Sequence, residues 1–475
     1  MKKITIYLIL SLLCNLSNAI DINDVKKKAE AGDAQAQYQF AYALINGEGI
    51  EENPKLALEW LSKSVEQDNA DAQAMLGNLY LQGKHVAVDY SKAIELLEKA
   101  AKKSNTDALM GLAMAYSNGW GVTIDTKKVF EYYSQAAQLG NPSALTLCAS
   151  AYFTGNGVTK DTKKAIELLT QAMNKGESSA KLFLALLYIG EGETEKDLAK
   201  GIQFLEELSE LGNSNAMYRL AHIYWFGEGV PADIKKGMQY LFSSAKLGNA
   251  EAQNDLGAIY LEGSLFPKDL KKALNLFEKS AEQGNLDAIN NLAGLYLKGT
   301  GVEKNENKAV SLLEMAASKG YSKSINNLAA LYLEGTGVSK DEKKAFSLFE
   351  EAAKKGYTDA LNNLAHMYLN GRSVERNYDK AYEYYKKSAL LGNPVGQYSV
   401  GRMHLEYRFN RYNVVDGYVW LELAGESGYK FTEPEKNNLS VLSFKLSFDD
   451  RLKASKMKDE IKKEISQTKA KLKNK

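Results

Sequence analysis

The sequence predicts an all-α fold, a right-handed alpha-alpha superhelical solenoid of helical hairpins. Three observations predict it. A 36-residue pattern recurs from Asp33 to Gly428 without net insertion or deletion, giving eleven repeats in a chain of 475 residues. A Tyr holds the twelfth place of nine consecutive repeats: Tyr80, Tyr116, Tyr152, Tyr188, Tyr224, Tyr260, Tyr296, Tyr332 and Tyr368. Apolar residues inside each repeat fall at i, i+4 and i+8, the spacing of one helix face. A fixed period of this size marks units that cannot bury their apolar faces alone and must pile on their neighbours.

The first element is a leader. Lys2 and Lys3, a mostly apolar run from Ile4 to Leu13, and the close Ser17, Asn18, Ala19 have the layout of a secretory signal, with cleavage expected after Ala19 (residues 1–19). The run is well short of the ~20 residues that span a bilayer, and no later run is longer. The expected product is exported and not transmembrane, periplasmic or secreted, and the short lysine-led signal points to a bacterial source. A lipid anchor on Cys14 would need a small residue before it, where Leu13 stands. Cys148 is then the only thiol of the mature chain, so packing and not a disulfide must hold it together. The 60 basic and 59 acidic residues cancel to +1. A body with no net charge has nothing with which to attract nucleic acid.

Residues 20–32 read as a half-repeat helix closed by Gly32, and residues 33–428 as the repeats themselves. With Asp33 as position 1, position 8 is apolar throughout, as in Leu76, Leu184, Leu292 and Leu364, with Phe40, Cys148 and Val400 as variants. Positions 4, 8 and 12 make the stripe of a first helix about three turns long. A second helix shows itself by Ala or Gly at position 25 in all but the third repeat, bulky residues at 28 and 29 such as Trp60, Leu96, Tyr132, Leu312 and Trp420, and a small residue at 32 except for Leu208. Small side chains at 9, 25 and 32 let the two helices approach, and large ones at 8, 12, 28 and 29 fill the space between. Between them, Gly stands at position 15 in nine of the eleven repeats, often with a second at 17, as in Gly47 and Gly49. Glycine supplies the φ > 0 that stops a helix. No G-x-x-x-x-G-K-[ST] is present, so the loop is a joint and not a phosphate cradle. Gly from Gly140 onward closes the second helix at position 36, where the first two repeats have Asp68 and Ser104. Residues 429–475 read as polar capping helices over the last apolar face, ending in a lysine-rich tail.

The string A-x-x-x-L-[AG]-x-x-Y-x-x-G-x-G-V, followed by K-[AG] and A-x-x-G, resembles the Sel-one-like repeat (SLR) family, relatives of the tetratricopeptide repeats. Residues Ala360–Gly371 and Ala329–Gly356 carry it almost unbroken. The fifth repeat departs, with Gly190 and Gly192 one place early, and so does the eleventh, with Tyr407, Phe409 and His404 at marker positions. The resemblance implies an adaptor whose concave face holds a peptide or partner protein, in bacterial envelope assembly, signalling or host contact, and implies no cofactor.

If positions 4, 8 and 12 face the core, positions 3, 6, 7, 10 and 13 line the inner curve. There an amide ladder runs through Asn254, Asn290 and Asn291, Asn326 and Asn327, Asn362 and Asn363. Amides carry donors and acceptors and can pair with an extended peptide backbone, or with one another between repeats. Tyr218, Arg219, His222 and Trp225 in the sixth repeat, and Tyr38 and Tyr42 in the first, suggest a second contact zone, since aromatics and Arg anchor interfaces. The position-12 Tyr reads as core, its hydroxyl reaching the interhelical loop, and Cys148 as a buried thiol. His222 and His366 lie too far apart in sequence for one metal, and neither HExxH nor paired-Cys spacing occurs. Three alternatives stand beside the adaptor. One is a beta-lactam-binding or hydrolysing enzyme, for which S-x-x-K occurs at Ser178, Ser243, Ser427, Ser455 and Ser466 but S-D-N and K-T-G are missing. The others are a permanent subunit of an envelope machine and a host-interaction (virulence) factor.

Overall fold

The computed structural model describes residues 21–190 and 197–473. The leader, and Gly192 of the fifth repeat, lie outside the described residues. Among the described residues every regular element is a helix. The chain divides into two compact halves, Met1–Gly237 and Met238–Lys475.

The N-terminal half begins with α1 (Ile22–Glu30), then pairs α2 (Ala34–Asn46) with α3 (Pro54–Glu66), and α4 (Ala70–Gln82) with α5 (Tyr90–Lys102). The pairs α6 (Thr106–Asn118) and α7 (Thr126–Gln138), and α8 (Pro142–Thr154) and α9 (Thr162–Asn174), follow. Next come α10 (Ser178–Tyr188), α11 (Leu198–Glu210) and α12 (Ser214–Phe226); α13 (Ile234–Lys246) carries the division point. The C-terminal half continues with α14 (Ala250–Glu262), α15 (Leu270–Glu282), α16 (Leu286–Lys298) and α17 (Glu306–Ser318). It goes on through α18 (Ser322–Glu334), α19 (Glu342–Lys354), α20 (Thr358–Asn370) and α21 (Tyr378–Leu390). It ends with α22 (Pro394–Leu405), α23 (Val414–Glu426), α24 (Glu433–Lys445) and α25 (Phe448–Lys473).

Each hairpin is set by its caps. In eight of the eleven repeats an Asn or Asp at position 1 accepts the N–H of the first helix's third residue, as Asp33 does from Ala36 at 2.7 Å and Asn105 from Ala108 at 2.9 Å, while Tyr321 and Tyr357 provide no side-chain cap. The helix ends on a left-handed position-15 glycine, such as Gly47 at φ 70°. Position 21 is Asp or Asn in all eleven repeats, and there its backbone N–H donates to the position-12 carbonyl at 2.7–3.2 Å. Its side chain also caps the second helix, as Asp161 does for Lys164 at 3.0 Å. One residue thus ties the joint to the first helix and starts the second.

The second loop glycine does separate work. At Gly157 (φ 76°) an added Cβ would stand 2.1 Å from the Thr126 carbonyl oxygen of the preceding repeat's second helix. At Gly337 it would likewise stand 2.9 Å from the Glu306 carbonyl oxygen, so in these repeats consecutive hairpins approach backbone to backbone at position 17. Small residues at the helix crossing act similarly: Ala57, Ala93, Ala165 and Ala273 are fully buried, and Gly77 leaves room for Leu97.

In the N-terminal half, Val25 and Ala29 of α1 join the core of Phe40, Leu44 and Leu61, so α1 acts as the missing second helix for the first pair. At the other end, α25 lies across α21 and α23, its Ala454 and Ile461 against Val419 and Trp420. Most of that cover comes from α25, for α24 buries no residue of its own, although Leu446 at its C-cap joins the same core. Two departures have local causes. α10 ends at Tyr188, two residues earlier than its counterparts, which moves the turn glycine to Gly190. In the eleventh repeat a 3-10 turn at Tyr407–Phe409 replaces the glycine joint, and Asn410 takes the left-handed conformation at φ 54°. Phe409 is buried there against Tyr378 at 5.2 Å.

Candidate partner-binding face

The position-12 tyrosines meet a partner that the sequence reading missed. Each has a Lys twelve residues on, at position 24, whose ammonium lies 3.9–5.7 Å from its ring centre in all nine repeats. Lys308 and Lys344 also donate to the Tyr296 and Tyr332 hydroxyls at 2.6 Å. The hydroxyl therefore reaches the first turn of the second helix and not the loop. The ring is a packing element, with Tyr116 and Tyr296 buried.

The amide ladder runs between repeats. Asn291 Nδ2 donates to Asn254 Oδ1 at 3.0 Å, Asn327 to Asn290 at 2.8 Å, and Asn363 to Asn326 at 2.9 Å. The inner members Asn290, Asn326 and Asn362 are buried, and Asn254, Asn291, Asn327 and Asn363 half-buried. Ser324 adds a bond to Asn290 at 3.2 Å, and Asn362 donates to Asn393 at 3.0 Å. A helix wheel shows that positions 6 and 7 leave their own hairpin's core. It does not show that the neighbouring first helix fills the space.

Two cavities open on the first-helix face, one in each half. In the C-terminal half, Asn362, Asn363, His366, Leu333 and Arg372 border a space of about 380 Å³. Asn362 Oδ1 is buried there without a hydrogen-bond partner. Arg372 is held by Glu342 at 3.2 Å and by the Leu333 carbonyl at 3.1 Å, so its fork is already occupied. In the N-terminal half, Tyr38, Tyr42, Met75, Met110, Met114, Asn78, Asp71 and Asp107 border about 190 Å³, with Lys84 also on the lining. Burial, and then the Asp71 charge, hold the Asp107 carboxyl above its ordinary pKa. Burial and the same two carboxylates raise the Tyr38 phenol.

The sixth-repeat cluster shares one face of α12. Tyr218 and His222 stand edge-on at 4.7 Å, His222 and Phe226 at 5.8 Å, and Arg219 pairs with Glu228 at 3.3 Å. Trp225 is half-buried, its backbone close to Gly237. Cys148 is buried, and burial pushes its thiol up to about 12, far from a working thiolate. The S-x-x-K serines 178, 243, 427, 455 and 466 are exposed, and only Ser455 and Ser466 share a helix, α25. No group of His, Cys, Asp and Glu among the described residues could hold a metal ion. No described helix is long and apolar enough to cross a membrane.

Tandem hairpins joined through caps, position-17 contacts and amide rungs define a helical-repeat solenoid. The chain belongs to the Sel1 repeat family, whose model matches ten consecutive segments from 34–69 to 358–393. The α22–α23 pair lies beyond the matched residues. The crystal structure of c5321, a protective antigen of uropathogenic Escherichia coli displaying an SLR fold, is 30% identical with a TM-score of 0.53. That match covers 96% of this chain and 97% of the antigen. A Sel1 repeat protein from Oxalobacter formigenes is also 30% identical, over 65% of this chain and 90% of its own, with a TM-score of 0.49. No curated protein matches. The Sel1 solenoid is a fold commonly used for protein–protein interaction, and generally a non-catalytic scaffold.

Proposed function

We propose that this protein is an exported bacterial scaffold that holds a peptide or partner protein against its first-helix face, without catalysis. The observation that carries the reading is that cavities in both halves are lined mostly by positions 3, 6, 7, 10 and 13 of the first helices. Those positions bear open space and polar groups, whereas positions 4, 8 and 12 are spent on packing. The relative described as a protective antigen of uropathogenic Escherichia coli supports export and host contact over an internal role. The leader-like residues 1–19 point the same way. The amides at Asn291, Asn327 and Asn363 serve mainly as rungs in this reading, and Asn362, with its unpartnered oxygen, is the ladder member that offers a ligand contact. The α12 cluster of Tyr218, Arg219, His222 and Trp225 remains a second contact zone.

The test is a photo-crosslinking residue placed at Asn46 or His366 on the first-helix face, and at Lys102 or Glu351 on the second helices, all four exposed. Envelope preparations should yield a discrete adduct from the first two positions and none from the others. Adducts of equal yield at all four, or from the second helices alone, would overturn the assignment of the face.

A further inference from the structure

We infer that the N-terminal cavity is a pocket for an arginine side chain presented by an extended segment of the partner. The inference rests on the scaffold reading and names the chemistry that one part of the face would recognise. Three acceptors border the cavity and among the described residues no cation is ion-paired to its carboxylates. Asp71 accepts from Gln35 at 3.2 Å and Asn105 at 2.8 Å, both neutral amides. Asp107 has no side-chain hydrogen bond or ion pair, and Asn78 Oδ1 is buried without a donor. Lys84 on the lining offsets one of the two negative charges, which leaves the pocket net negative.

The rest of the wall suits the stem. Met75, Met110 and Met114 supply adaptable apolar surface for methylenes, and the Tyr38 and Tyr42 rings, 6.3 Å apart, offer faces to a delocalised cation. A guanidinium brings five donors in a planar fork and can reach several acceptors together; an ammonium is a strongly hydrated point charge. Gly111 belongs to the same design, since a Cβ there would stand 2.4 Å from Asn78 Oδ1 and displace it.

The probe is the blocked tripeptide acetyl-Ala-Arg-Ala-amide, titrated into the mature chain carrying methyl-labelled methionine. Saturable shifts of the Met110 and Met114 methyls are expected. The citrulline tripeptide, equal in shape and neutral, should bind at least tenfold more weakly, and the Glu tripeptide not at all. Asp107→Asn should weaken arginine binding about tenfold while leaving the melting temperature unchanged or higher, because it removes a half-buried charge that has no ion-pair partner. Equal binding of citrulline, an unaffected Asp107→Asn variant, or shifts spread over unrelated methionines would overturn the inference. A concentration-dependent dimer that Asp107→Asn dissolves would give the pocket to a second copy's lysine-rich end and overturn it too. Loss of arginine binding alone, with the crosslinks at Asn46 and His366 intact, would remove this pocket and leave the scaffold reading standing.

Discussion

Position 12 and position 24 change together along the chain. Nine repeats pair Tyr with Lys; the first pairs Leu44 with Leu56, and the eleventh pairs His404 with Asp416, 4.0 Å apart. Two places that swap chemistry jointly within one array are facing each other, and this was legible at a constant spacing of twelve. It went unread because helix periodicity picks out one face of one helix and is blind to the helix that returns. His404 is the informative exception. Burial lowers its pKa, against the raising influence of the Arg411 carbonyl and Asp416; Lys386 and Arg411 lower it further, and Tyr382 bonds its ring. A folded-state pKa below the unfolded value of about 6.5 means the unfolded chain takes the proton first as pH falls. Stability from this site is therefore full above that value and is lost as the pH drops below it. Urea melts at pH 7.5 and 5.5 should show a larger drop for the natural chain than for His404→Gln; equal drops would assign the sensitivity elsewhere. A second residue-scale prediction concerns Ser104, which holds φ 60° at the place where later repeats carry glycine. Ser104→Gly should raise stability by about 0.5–1 kcal/mol by relieving the left-handed backbone, and an unchanged denaturation midpoint would show that the strain is absorbed locally.

The hairpin element was almost wholly readable, since apolar stripes at 4, 8 and 12, small residues at 9, 25 and 32, and joint glycines each have one physical use. The two glycines of the joint were read as equivalent, and they are not. Position 15 needs its dihedral, whereas position 17 at Gly157 and Gly337 also needs the absence of a side chain against the preceding repeat; His85, Leu265 and Ser373 fill the place in other repeats. Gly157→Ala should cost roughly 2–4 kcal/mol, in the range of overpacked and backbone-strained sites, because the Thr126 carbonyl cannot yield as a flexible side chain would. A melt within error of the natural chain would mean that the inter-repeat contact is looser than drawn. The asparagine rungs were legible as a stripe but not as bridges, because their destination depends on how closely the next first helix approaches. Asn327→Ala removes the 2.8 Å bond to Asn290 and should cost about 0.5–1.5 kcal/mol. Partner capture falling without any change in the melt would instead give that amide back to the ligand.

At the scale of the whole molecule, stability in a stacked array is set by each hairpin and its immediate neighbours, so the last pair needs a substitute for the neighbour it lacks. α25 is that substitute. Its sequence reads as lysine-rich and solvated, which concealed that Ala454, Met457, Ile461 and Ile465 fall on one stripe that packs on the core around Trp420. Charge also contributes, since Lys458 reaches Glu422 at 3.0 Å and Glu426 at 2.7 Å, but these are partly exposed pairs of modest worth. The apolar stripe should therefore dominate. Ile461→Asp would bury a carboxylate against Val419 and Trp420 and should cost about 3 kcal/mol locally. Nearest-neighbour coupling makes the location of that loss the sharper test. Amide exchange should accelerate in α21, α22, α23 and α25 and stay close to its original rate in α14 through α17, two or more hairpins away in the same half. A uniform acceleration from α14 to α25 would mean that the C-terminal half opens as one cooperative body, and that its repeats are not the independent stability units their sequence period suggests.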